Sequence, residues 1–279
     1  MQARPSLALL AAALSVAVAG CQESGFDESK ETVRPLKVQH VLGETKVPGQ
    51  ARRPLTLTQD TLDDTLALHV QPARAALAGA RLPAYLRGPG RGVSTMQPVT
   101  ATDLGAVEAV HPDLILGDSS SDGKGGNGAL YDRLSKIAPT VMVATGSDQW
   151  RLNLRLVGEA LGRTNDAEQL LIDYDHQAFR ARKAIRAARA GSAKPRVSVA
   201  LATGSGNRFA PQRSFAGTIL ADAGVKQVRN ASDADVTLLA GAGHVEGRSV
   251  RVDPALWFGP GGSIAAKTAF AELVRALRG

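Results

Sequence analysis

The residues that could carry chemistry in this chain are few and scattered. The five histidines are His40, His69, His111, His176 and His244. No two stand four apart, and no cysteine stands beside any of them, so the spacing of a protein-held metal is missing. Gly117 through Lys124 approximates a phosphate-cradling loop. It has one residue too many between its glycines, and Gly125 stands where a magnesium-binding hydroxyl belongs. Gly204-Ser205-Gly206-Asn207-Arg208-Phe209 lacks the third glycine of a dinucleotide turn, and a Gly-x-Ser-x-Gly nucleophile elbow is absent. Asp63 and Asp64 are adjacent on an expected helix and diverge, so they do not read as an acid/base pair. Asn230-Ala231-Ser232 matches a glycosylation sequon only formally. No catalytic constellation, metal site or cofactor of the chain's own is expected.

The one residue with a strong chemical reading is Cys21, the only cysteine of the 279-residue chain. Arg4 precedes a short apolar run from Leu7 to Ala19, which has the charge and length of an export signal and is too short to span a bilayer. The run ends in Val18-Ala19-Gly20-Cys21 and resembles the bacterial lipobox, in which the cysteine thiol is acylated and becomes the mature amino terminus. The expected layout is a signal over 1–20 and a polar tether over 21–32. A single cysteine leaves no partner for an internal disulfide. The net charge of +7 invites a nucleic-acid partner. Its basic residues are spread along helix faces without interleaved aromatics, and the export signal removes that partner.

The elements that must position any site alternate in kind. Strands are expected at Pro54–Thr58, Pro112–Gly117, Thr140–Ala144, Arg196–Leu201, Asp235–Leu239 and, more weakly, Arg248–Asp253. Helices are expected over Thr61–Leu68, Val99–Val110 (with Thr102 and Asp103 as caps), Ala129–Ile137, Asp148–Leu161, Ser214–Ala223 and Ile264–Leu277. Such alternation builds parallel sheets covered by helices. Between Asn165 and Ala190 there is neither glycine nor proline, and Leu170, Leu171, Tyr174, Ala178, Ala181, Ile185 and Ala188 recur at helical spacing. Acids fill the first half of this stretch and bases the second, in the sense that complements the helix dipole. A helix of about 35–40 Å results, long enough to act as a spine between two α/β halves.

Several stretches carry a family resemblance. Lys37–Pro48, Leu82-Pro83-Ala84-Tyr85-Leu86, Leu130–Val141, Trp150 with Asn153-Leu154, Val157–Arg163 and Ser214–Leu220 occur in the order seen in actinobacterial iron-siderophore binding lipoproteins of ABC importers, and the chain resembles that family from about Val33 to Gly224. The resemblance implies an α/β fold of the class III periplasmic-binding-protein type: two Rossmann-like lobes bridged by one long helix. The N-terminal lobe is expected over 33–163, the bridging helix over 164–191 and a reduced C-terminal lobe over 192–279. It implies a monomer, anchored by lipid to the outer face of the cell membrane, that delivers a ferric siderophore, expected to be a hydroxamate, to an ABC permease. The siderophore would saturate the iron, so the protein would supply aromatic faces and arginines. By motif position these would be Tyr85, Trp150 and Arg208, with Arg213 and Trp257 as weaker candidates.

The chain also departs from the family. Where an acid that docks the permease is usual, Asp103-Leu104-Gly105 ends in glycine. The tyrosine expected two residues after Arg208 is Ala210, and the stretch from Leu239 to Trp257 is short. The same fold could therefore hold haem, cobalamin or another chelate. It could also be an envelope interaction lipoprotein without a small-molecule ligand.

Overall fold

The computed structural model describes residues 34–100, 102, 104–119, 128–146, 148–188 and 193–278. Cys21, the expected signal and the tether lie outside the described residues.

The described chain opens with a hairpin of β1 (Leu36–His40) and β2 (Gly43–Val47), antiparallel and in register from Leu36–Val47 to His40–Gly43. Next come β3 (Pro54–Thr56), α1 (Gln59–Ala67), β4 (Arg74–Ala76), β5 (Thr95–Met96), the single-turn α2 (Gly105–Glu108), β6 (Leu114–Asp118), α3 (Ala129–Leu134), β7 (Thr140–Val143) and α4 (Trp150–Ala160). The strands form a parallel sheet in the order β5-β4-β3-β6-β7. β3, β6 and β7 are buried at every position, which is why their sequences read as continuous apolar runs. The strand order reverses beside β3, since β4 lies on one side of it and β6 on the other. In open α/β sheets such a reversal leaves a crevice at the carboxyl ends of the strands.

α5 (Thr164–Ala188) is the long helix, 25 residues. Its buried residues are Ala167, Leu171, Tyr174, Ala178, Ala181 and Ile185, close to the stripe in the sequence; Leu170 is half-buried and Ala188 exposed. It packs on α4 with little space between backbones, since a Cβ at Gly158 would stand 2.6 Å from that of Ala167. Beyond it lie β8 (Arg196–Thr203), β9 (Gly206–Phe209), α6 (Phe215–Asp222), β10 (Lys226–Gln227), β11 (Val236–Ala240), β12 (Ser249–Val252), α7 (Pro254–Trp257) and α8 (Ser263–Arg278). β10-β8-β11-β12 run parallel, and β9 folds back antiparallel on β8. The fold is therefore two α/β sheets with one long helix between them in the chain, the class III arrangement. One apolar core runs through both halves, joining Leu114, Val141 and Trp150 to Val199, Phe215 and Leu238.

The structure corrects several local expectations. The helix expected over Val99–Val110 is only one turn, its N-cap is Leu104 with no side-chain cap, Thr102 lies outside it, and Asp103 is not among the described residues. The strand beginning at Pro54 stops at Thr56, because Thr58 takes up the extended N-cap conformation of α1. Gly204–Phe209, tested above as a nucleotide turn, is the bend and return strand of a hairpin.

Candidate functional site

A cavity of about 680 Å³ opens at the carboxyl ends of β3 and β4, a size suited to a chelate-sized ligand. One wall is Leu57-Thr58-Gln59, where β3 turns into α1, with Ala76-Leu77-Ala78 leaving β4. The rim is the loop from Arg81 to Arg87, and the facing wall comes from the other half of the chain through Asp253, Ala255 and Pro260. Residues from both halves thus share one space, and side-chain bonds pin them together. Gln59 Nε2 donates to the Tyr85 hydroxyl at 3.0 Å and to the Ala255 carbonyl at 2.8 Å. Asp253 Oδ1 accepts the Ala255 amide at 2.9 Å and so caps α7.

Behind the cavity, α1 buries three carboxylates: Asp60, Asp63 and Asp64. Asp60 accepts from the Thr58 hydroxyl at 2.5 Å. Asp63 accepts the amides of Ile264 and Ala265 and so closes the N-terminus of α8. Burial pushes the Asp63 carboxyl up to about 7, against the opposing pull of those two amides. Asp64 is raised well above the usual carboxylate range, first by burial and then by Asp63 and Asp60 beside it. Burial, and then the Asp63 charge, also raise the Tyr85 hydroxyl. These groups tie α1 to α8 and hold the cavity's back wall. Their tight packing shows at Gly262 (φ +138), where a Cβ would fall 2.3 Å from Asp63 Cγ.

The five residues singled out in the sequence do not converge. Tyr85 is half-buried in the rim loop but does not itself line the cavity; its hydroxyl accepts from Gln59, and its ring packs against the buried cluster of Leu62, Leu66 and Leu86. Trp150 is 2 % exposed and sits in the core, edge-on to Tyr174 at 4.8 Å and Phe215 at 6.4 Å. As the first residue of α4 it faces α5 and α6, so no ring face is left for a ligand. Trp257 is 1 % exposed, its Nε1 donating to Glu272 of α8 at 2.8 Å; it too packs inward and anchors α7. Arg208 is exposed on β9 and stacks its guanidinium over Phe258, 5.6 Å from the ring centre, next to α7. Arg213 is exposed in the turn before α6, away from the residues that line the cavity. Ala210 is buried, and its carbonyl accepts from Gln227 at 2.7 Å.

Sequence reasoning missed Gln59, Arg81, Arg87 and the Asp253–Ala255 wall. A signal for the arginines existed, because they flank the Leu82–Leu86 stretch already quoted. Gln59 and Ala255 are 196 residues apart, and only the fold brings them together.

Residues 93–242, more than half of the 279 residues, match the family model described as "Periplasmic binding protein". Among curated proteins, the chain is 26% identical over 169 residues to the "Probable siderophore-binding lipoprotein YfiY" of Bacillus subtilis, covering 60% of this chain and 50% of that one. It is 37% identical over 81 residues to the "Ferric enterobactin-binding periplasmic protein FepB" of Escherichia coli O6:H1, covering 29% of this chain and 25% of that one. The chain thus spans half the length of the first relative and a quarter of the second. Among solved structures, Staphylococcus aureus SirA complexed with staphyloferrin B superposes with a TM-score of 0.71 at 23% identity, over 87% of this chain and 98% of that one. A periplasmic solute binding protein from Mycobacterium smegmatis gives 0.72 at 17% identity, over 87% and 97%. At such identities these two show a shared fold. A matched family model over more than half its length, on a fold of two α/β sheets with one long helix between them in the chain, shows that this chain belongs to the periplasmic binding protein family, a family of extracytoplasmic solute-binding proteins.

Proposed function

We propose that this chain is a lipid-anchored, monomeric solute-binding protein that carries a ferric siderophore to an ABC permease on the outer face of the cell membrane. The observation that supports it most is the cavity at the strand ends, walled by Gln59 and Ala76–Ala78 from one half and by Asp253 and Ala255 from the other. A ligand there touches both halves at once, as a solute carried between partners must. The siderophore-binding names of YfiY and FepB agree with this reading. Among the described residues no group of three or more His, Cys, Asp or Glu is placed to hold a metal, so iron would arrive with its donor atoms already supplied. The anchor rests on Cys21 and the apolar run before it. Among the described residues no helix is long and apolar enough to cross a membrane. Gly105, exposed at the start of α2, offers a permease no side-chain charge, and the acid on that turn is the exposed Glu108.

The test is calorimetric titration of the full chain in detergent with ferric siderophores, their iron-free forms, haem and cobalamin. Saturable one-to-one binding of a ferric siderophore, stronger than its iron-free form, supports the reading. Binding of haem or cobalamin alone transfers the same site to another chelate. Binding of none, by a chain whose circular dichroism shows it folded, contradicts it.

A further inference from the structure

We infer that the cavity selects ferric chelates carrying net negative charge, of the catecholate or carboxylate type, and that Arg81 and Arg87 make that selection. The inference rests on the siderophore reading above and adds the class of siderophore.

Two guanidinium groups, Arg81 and Arg87, stand at the same rim, and both residues are exposed. Neither has a carboxylate or carbonyl partner among the described residues, in contrast to Arg151, Arg155 and Arg196, each of which is paired with an acid. Among the described residues, the one carboxylate lining the cavity is Asp253. Its Oδ1 is engaged by the Ala255 amide, and its Oδ2 is buried without a partner, turned away from solvent. The surface that an entering ligand meets is therefore positive over an apolar floor of Leu57, Leu77 and Pro98.

Three hydroxamates, each monoanionic, cancel the charge of ferric iron and leave nothing for unpaired arginines to attract. Catecholates and α-hydroxycarboxylates are dianionic when bound to iron, and their ferric complexes keep surplus negative charge on planar oxygen pairs. An arginine fork matches such pairs with two parallel hydrogen bonds. Such an attraction weakens with salt. The charge thus favours an anionic chelate over the hydroxamate expected from the sequence.

The experiment titrates the full chain, and its Arg81→Gln, Arg87→Gln and double variants, with ferric enterobactin, ferric staphyloferrin B and a neutral ferric tris-hydroxamate of similar size. The affinity of at least one anionic chelate should exceed that of the neutral one. Each substitution should lower that affinity about two- to fivefold, and the loss should shrink at high salt, while the neutral chelate changes little. Equal or tighter binding of the neutral chelate, or an anionic affinity unchanged in the double variant, overturns the charge selection and leaves the siderophore reading standing. Saturable binding of no ferric chelate overturns both. The substituted side chains are exposed, so circular dichroism should be superimposable across the series.

Discussion

The Asp63 carboxylate receives the Ile264 amide at 2.8 Å and the Ala265 amide at 3.0 Å, so one side chain of α1 closes the N-terminus of α8, 201 residues later in the chain. The two amides would otherwise be buried donors without partners. Asp63→Ala should therefore destabilise the protein by about 2–4 kcal/mol, and Asp63→Asn, which keeps one acceptor oxygen, by about 1 kcal/mol. Urea unfolding followed by circular dichroism measures both.

The same carboxyl should make stability depend on pH. Burial raises Asp63 to about 7 from an ordinary value of 3.8, so the folded chain holds this proton more tightly than the unfolded chain. Its contribution is fully present below the ordinary value and is lost as pH rises through about 7. Asp60 and Asp64 are shifted the same way by burial. The denaturation midpoint should fall between about pH 5 and pH 8, and the fall should be smaller in Asp63→Asn. A midpoint that rises over this range would show that other groups control the pH response.

Trp150 should matter for folding and not for ligand choice. Its indole packs against Tyr174 and Phe215 in the core. Trp150→Ala should cost about 3–5 kcal/mol and Trp150→Phe clearly less. In Trp150→Phe the dissociation constant for a bound chelate should stay within about twofold, since the ring lies outside the cavity. Calorimetry on the folded variant gives the check.

Much of the architecture was legible in the sequence. The buried strands β6 and β7 read as apolar runs, and α5 announced itself by a glycine- and proline-free stretch with a helical stripe. The short edges did not: β4 and β5 are three and two residues long, too short to show a period. The site was less legible, for two reasons. Trp150 and Trp257 have the chemistry of ligand platforms, but an aromatic ring serves a core equally well, and local sequence does not tell which way a helix turns it. Gln59, Ala255 and Asp63 act through partners some two hundred residues away, and such pairings are set by topology. Tyr85 lies in the same short loop as the rim arginines, but its ring packs against the buried cluster of Leu62, Leu66 and Leu86 and not into the cavity.

Cys21 should decide the location of the protein. In the native host, Cys21→Ser should move the chain from the membrane fraction to the soluble extracytoplasmic fraction, and mass spectrometry of the unaltered chain should find a lipid on that cysteine. Persistence of Cys21→Ser in the washed membrane fraction would argue for another means of attachment.

The most direct test of the central claim is to fill the cavity. Ala84 is exposed and lines it, so Ala84→Trp places an indole in the space without disturbing the core. Equilibrium dialysis with radiolabelled iron in the best-binding siderophore should give one chelate per wild-type chain. The Ala84→Trp variant should bind at least about tenfold more weakly, with an unchanged thermal midpoint. Absence of saturable binding in the wild type, or equal binding in the filled variant, would contradict a ferric siderophore carried in this cavity.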